Sequence, residues 1–126
     1  MSIKILLVED QKLMRIGIKS LFCDYPEMEV IAEAATGKEA VEKAKLNKPD
    51  IILMDLQMPD MDGFVTSRKI REAENGLGHR VPIIAISATM NDDNEQRCYD
   101  AGMDAYIFKP FKAADLLRIM QSYLGS

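Results

Sequence analysis

Four residues in a row, Ile51-Ile52-Leu53-Met54, offer no polar face, and the run stops at a carboxylate, Asp55. A strand that is apolar on both sides must be covered on both sides, which is the condition of a strand inside a parallel sheet. Similar short runs, mostly rich in Ile and Val, recur at Ile3–Val8, Met28–Glu33, Val81–Ile86 and Ala105–Phe108. Between them, apolar residues fall at helical spacing. Met14, Ile18, Leu21 and Phe22 form the first stripe. Thr36-Gly37-Lys38-Glu39 has the Thr-x-x-Glu form of a capping box and opens a second helix with Ala40, Val41 and Ala44 on one face. A third follows Asp62-Gly63, carries Phe64, Val65 and Ile70, and ends near Gly76. A fourth runs from about Asp92 to Ala101 and stops at Gly102, a residue suited to a helix C-terminus. The last holds Leu116, Leu117, Ile119, Met120 and Leu124.

Five strand–helix pairs, with no repeat and no low-complexity linker, predict a single doubly wound α/β domain over residues 1–126. The fourth helix has little to hold it. Asn91-Asp92-Asp93-Asn94-Glu95-Gln96-Arg97 is almost wholly polar and leaves Met90, Cys98 and Ala101 as anchors. A weakly anchored helix is the expected moving part.

In open α/β sheets, ligands sit beyond the carboxyl ends of the strands, where the strand order reverses. Glu9-Asp10 ends the first strand and Asp55 the third. In the flavodoxin-like order 2-1-3-4-5 those strands are neighbours, ~4.8 Å apart, so the carboxylates converge without a special loop. Three carboxylates in one cleft repel each other unless a cation neutralises them. An all-oxygen donor set with room for waters favours Mg²⁺ or Mn²⁺ over zinc. Lys109, between the Tyr106-Ile107-Phe108 run and Pro110, would supply a positive charge for an anion on that metal. Ser87, closing Ile83-Ile84-Ala85-Ile86, would supply a hydroxyl from the remaining side.

The composition works by exclusion. A net charge of −4 without a Lys/Arg block argues against direct nucleic-acid binding by this segment. No apolar stretch approaches the ~20 residues of a membrane span. The start Met1-Ser2-Ile3-Lys4 runs straight into a strand, so no signal peptide is expected. Cys23 and Cys98 are far apart in helical patterns and read as reduced thiols of a cytoplasmic protein. His79, the only histidine, falls in a Gly-rich stretch, so no His/Cys metal site can be assembled. The nine methionines are scattered core filler.

Together, Leu6-Leu7-Val8-Glu9-Asp10, the stretch from Met54-Asp55 through Met58-Pro59 to Asp62-Gly63, Ile86-Ser87-Ala88, and the stretch from Ala101-Gly102 to Phe108-Lys109-Pro110-Phe111 identify a family. The chain resembles the receiver domain of bacterial two-component response regulators. The resemblance covers nearly the whole chain, in order and on the predicted strand ends. It implies that Asp55 accepts a phosphoryl group from a phosphohistidine on a histidine kinase or histidine phosphotransfer protein. It implies that Asp10 and Asp55 ligate Mg²⁺, with Glu9 nearby or through water and the backbone carbonyl of Gln57 as a further ligand. Lys109 would pair with Asp55 at rest and with a phosphoryl oxygen afterwards. Ser87 would hold another phosphoryl oxygen and draw its loop inward, and Tyr106 would then turn inward. That change would bias the surface of the fourth helix, fifth strand and fifth helix toward a downstream target or a phosphorylation-dependent homodimer. The Lys109–Pro110 bond is expected to be cis, as in the family. Gln57 and Thr89 flank the site and would tune the slow loss of the phosphoryl group to water. Such a domain is not an enzyme beyond its own transfer.

Plainer roles exist for the same residues. Glu9-Asp10 could be a solvated turn and helix cap, Asp62 a helix N-cap and Asp60 a loop charge. Ser87 could bond backbone, and Tyr106 could be ordinary half-buried packing. Other function classes fit less well. An Asp-nucleophile small-molecule phosphatase of the haloacid-dehalogenase-like class needs a second Asp as general acid where Gln57 stands. A flavodoxin-like electron carrier needs a phosphate cradle after the first strand, where Glu9-Asp10 would repel a flavin phosphate. A pseudo-receiver acting only as a binding module has no need of Asp10, Asp55, Ser87 and Lys109 together. Arg71–His79 resembles the corresponding loop of receivers joined to hybrid kinases, whereas Met14-Arg15-Ile16-Gly17-Ile18 looks like the first helix of DNA-binding regulators.

Overall fold

The alternation of apolar runs and helical stripes becomes five β–α pairs. The computed structural model describes residues 3–56, 63–74, 80–87, 92–108 and 112–124, with backbone alone for 92–95, 113 and 124. Strand β1 (Ile3–Val8) precedes helix α1 (Lys12–Leu21), and β2 (Met28–Ala34) precedes α2 (Gly37–Asn47). They are followed by β3 (Ile51–Asp55) and α3 (Gly63–Glu74), β4 (Ile83–Ser87) and α4 (Asp92–Asp100), then β5 (Ala105–Phe108) and α5 (Ala113–Leu124). All pairings are parallel and the order is β2-β1-β3-β4-β5, as expected.

Strand side chains alternate between faces, and each face meets its own helices. Ile5, Leu7, Ile51, Leu53, Ile84 and Ile86 pack with Ile18 of α1, its C-cap residue Phe22, and Leu116 and Met120 of α5. Leu6, Val8, Ile52, Met54, Ile83 and Ala85 pack with Ala40 of α2, Phe64 and Ile70 of α3, and Cys98 of α4. This double cover explains why β3 reads as unbroken apolar sequence. Truncating one of its large side chains to alanine would cost about 2–5 kcal/mol. Asp55 has the parity of Ile51 and Leu53 and therefore belongs to the α1/α5 face. Ser87 has the parity of Ile83 and Ala85 and belongs to the other, where Tyr106 also packs.

Asp55 and Ser87 do end their strands, each one residue past its apolar run. Several local expectations are corrected. Strand β4 begins at Ile83, not Val81. Pro82 cannot donate to a ladder, although its carbonyl accepts from Ile52 N–H at 2.9 Å. Thr36 caps α2 by accepting from Glu39 N–H at 3.1 Å, but Glu39 reaches back to Ala35 N–H at 3.1 Å rather than to Thr36. Val65 is exposed, while Phe64 and Ile70 are buried as expected.

Helix α4 is held by more than its apolar residues. The Arg97 guanidinium lies 4.2 Å from the centre of the Phe64 ring, and Ser67 Oγ donates to Ala101 O at 2.8 Å. Its end is a Schellman turn: Gly102 N–H bonds Tyr99 O at 3.0 Å and Met103 N–H bonds Cys98 O at 2.9 Å. Gly102 has φ +89°, so a residue without a Cβ is required there. Cys98 is buried and Cys23 exposed, and neither is in a disulfide. Among the described residues, no helix is long and apolar enough to cross a membrane.

Candidate acidic metal site

The register of the central strands assembles the site. Val8 lies opposite Met54 in the β1–β3 ladder, so the residues that follow, Glu9 and Asp55, emerge side by side at the carboxyl edge. Glu9 N–H bonds Ala34 O at 2.9 Å, which carries the β1–β2 pairing one residue past the strand. Across β3, Asp55 pairs with Ile86 and Leu56 N–H bonds Ile86 O at 3.2 Å. Ser87, the next residue, is thereby beside the site.

Glu9, Asp10 and Asp55 each place a carboxylate oxygen within 4.8 Å of the others. Glu9 is 1% exposed and Asp55 5%, while Asp10 is half-buried. Burial first, and then the hydrogen bond and like charge of Asp55, push the Glu9 carboxyl from an ordinary 4.5 up to about 8. Gln11 N–H, donating to Glu9 Oε1 at 3.2 Å, works in the opposite direction. The solvated-turn alternative therefore fails for Glu9. Its carboxylate does meet the N-cap residue of α1, whose own side chain makes no capping bond.

The donor set fits a hard divalent cation. Every ligand is an oxygen, and opposite ligands of Mg²⁺ at 2.0–2.1 Å stand roughly 4.2 Å apart, close to the spread of these carboxylates. The crowding of negative charge, visible in the raised Glu9, is what a cation would relieve.

Other elements press the site into shape. Gly63, the first residue of α3, donates to Leu56 O at 3.2 Å. A Cβ on it would stand 2.8 Å from Asp55 O and 3.0 Å from Leu56 Cα. Asp-Gly reads in sequence as a turn signal, but the glycine is needed for close packing at the strand end. Arg15 was not singled out by its residue type, yet its guanidinium folds back on the β1–α1 loop and donates to Glu9 O at 2.8 Å. Behind the site, Tyr106 is half-buried. Its ring meets Phe108 edge-on at 5.1 Å and Tyr99 at 6.4 Å.

Glu9, Asp10, Asp55 and Ser87 are thus brought to one strand-end cleft, and Tyr106 to the sheet face shared with Ser87. Lys109, Gln57 and Thr89 lie outside the described residues, as do Asp60, Asp62, His79 and the Lys109–Pro110 bond.

Comparison with known proteins points one way. The family model for the response regulator receiver domain matches residues 5–121. Response regulator protein VraR of Staphylococcus aureus is 40% identical over 116 residues, 92% of this chain and 54% of that protein. The chain therefore spans about half the length of the curated relatives it matches. A solved structure of the receiver domain of sensor histidine kinase PA1611 from Pseudomonas aeruginosa superposes with TM-score 0.85. It is 40% identical, covers 100% of both chains, and has a magnesium ion coordinated in its active site cleft. The response regulator domain of Thermotoga maritima CheB gives TM-score 0.85 at 27% identity, covering 100% of this chain and 98% of that one.

Proposed function

The chain belongs to the response regulator receiver domain family of two-component signalling, and from that premise we propose that Asp55 is its phosphoacceptor, served by a Mg²⁺ or Mn²⁺ ion held on Asp10 and Asp55 with Glu9 behind them. The observation that carries this reading is the convergence of the three carboxylates at the point where the strand order reverses. The same ion in the Pseudomonas relative supports it.

The donor is a phosphohistidine on a kinase or phosphotransfer protein. An Asp55 oxygen attacks phosphorus, the new P–O bond forms as the P–N bond breaks, and the departing imidazole nitrogen leaves with a proton. The product is an aspartyl phosphate. Burial of Asp55 keeps bulk water from competing and holds the carboxylate at one angle. A bound cation supplies charge neutralisation for the phosphoryl oxygens. Lys109 follows the last residue of β5 in sequence and takes the role of point charge on the phosphoryl group; the Gln57 carbonyl completes the ligands, and Gln57 and Thr89 set access of water. The Ser87 hydroxyl holds one phosphoryl oxygen and links the event to Tyr106 on the same sheet face. Residues 1–126 act as one domain in the cytoplasm that switches an effector and turns over nothing beyond its own phosphoryl group.

Incubation with Mg²⁺ and a small acyl phosphate tests this reading. Intact mass should rise by one phosphoryl group in the wild-type chain, and not in Asp55→Asn or in the presence of a chelator. No gain in the wild type, or a gain in Asp55→Asn, overturns it.

A further inference from the structure

Arg15 stands in the first turn of α1, and its side chain turns back over the loop that carries the acidic residues. Nη1 donates to Glu9 O at 2.8 Å and to Asp10 O at 3.2 Å. Nε faces Glu33 Oε1, at the end of β2, at 3.2 Å. Glu33 is held in turn by Lys19 Nζ at 3.0 Å. The Arg15 side chain is only 18% exposed. One planar cation thus grips the two peptide units whose side chains face Asp55, and takes its own orientation from the neighbouring strand.

Resting on the assignment of Asp10 and Asp55 as cation ligands, we propose that Arg15 is the positioning residue of the metal site, fixing the Glu9 and Asp10 peptides so that their carboxylates face Asp55. The need arises from the backbone. Gln11, the N-cap residue, is extended, with φ −89° and ψ 122°, so the Glu9 and Asp10 carbonyls lie ahead of the helix ladder. In the rigid guanidinium plane, Nη1 reaches both carbonyls while Nε meets Glu33. A lysine, with one flexible ammonium, cannot hold that set together.

The sign of the effect separates positioning from charge. A cation so near the carboxylates repels Mg²⁺. If Arg15 acted by charge alone, its removal would tighten metal binding. If it acts by holding ligands in place, its removal loosens binding, as loss of outer contacts does at other metal sites, by about tenfold or more.

The test is calorimetric titration of the metal-free chain with Mg²⁺ alone, together with amide hydrogen exchange across residues 9–15. Arg15→Met and Arg15→Lys should each weaken Mg²⁺ binding by about tenfold and speed exchange at Gln11 N–H. Lys19→Met removes the other cation paired with the Glu33 carboxylate and should change neither. Glu33→Gln, a milder change that leaves the carbonyl bonds in place, should weaken binding in the same direction and serves if Arg15→Met does not fold. Unchanged or tighter Mg²⁺ binding in Arg15→Met, or full affinity in Arg15→Lys, overturns the proposal alone. Absence of Mg²⁺ binding by the wild-type chain would overturn the ligand assignment along with it.

Discussion

Gly63 and Asp55 touch through their backbones: a Cβ on the glycine would stand 2.8 Å from the Asp55 carbonyl oxygen. Neither that oxygen nor Leu56 Cα, 3.0 Å away, is the end of a flexible side chain. Gly63→Ala should therefore destabilise the fold by about 1–3 kcal/mol in urea unfolding and displace Asp55 enough to weaken Mg²⁺ binding. Gly17 is the control. A Cβ there meets nothing within 4 Å, and its place inside α1 predicts that Gly17→Ala stabilises by roughly 0.5–1 kcal/mol.

The raised Glu9 carboxyl predicts an unusual pH dependence for the metal-free protein. Between the ordinary 4.5 and about 8, the folded chain keeps a proton that the unfolded chain has released. That stabilisation is full below 4.5 and is lost as pH rises through about 8. Melting temperature in chelator should therefore contain a component that falls across this window. Glu9→Gln should remove that component, and an identical profile in the variant would contradict the assignment. Mg²⁺ competes with the proton, so metal affinity should rise with pH over the same interval.

Arg71 makes a sharper demand on stability than the number of surface ion pairs would suggest. It donates to four acceptors: Gly102 O, Val81 O, Glu74 Oε1 and Asp104 Oδ2. Its side chain is 17% exposed. Arg80 also pairs with Asp104 but is 55% exposed. Arg71→Met should cost about 3 kcal/mol, because it takes the Arg71 donor from Val81 O and Glu74 Oε1, whereas Gly102 O and Asp104 keep Arg80 and Ile83 N–H. Arg80→Met should cost less than about 1 kcal/mol. Comparable losses in urea unfolding would contradict this ranking.

What could be read from sequence follows from how local each cause is. Strand β3 was legible because both its faces are buried, and Asp55 because a carboxylate ends that run. Gly102 was legible because a helix that stops in the left-handed region selects glycine. Arg71 was not, since its partner Asp104 is 33 residues away and nothing local distinguishes it from a solvated helix charge. The same holds for the Arg15–Glu33 pair and for the Arg97–Phe64 contact that steadies α4. Val65 was misplaced because single exposed apolar residues are ordinary. Lys109, Gln57 and Thr89 rest on motif and spacing.

Ser87 should separate binding of the cation from binding of the phosphoryl group. It is 3% exposed at the end of β4 and brings a neutral hydroxyl rather than a carboxylate. Ser87→Ala should leave Mg²⁺ affinity unchanged and slow phosphorylation by an acyl phosphate at least about tenfold, the scale of losing one donor to developing charge. Equal phosphorylation rates in stopped-time mass measurements would remove Ser87 from the site.

The most direct measurement is chemical mapping of the phosphorylated residue. An aspartyl phosphate is a mixed anhydride that borohydride reduces to an alcohol, leaving a homoserine at the acceptor position. After phosphorylation in Mg²⁺, reduction and peptide sequencing should place that homoserine at position 55. Conversion at position 9 or 10, or no conversion in protein that carries the phosphoryl mass, would contradict the account.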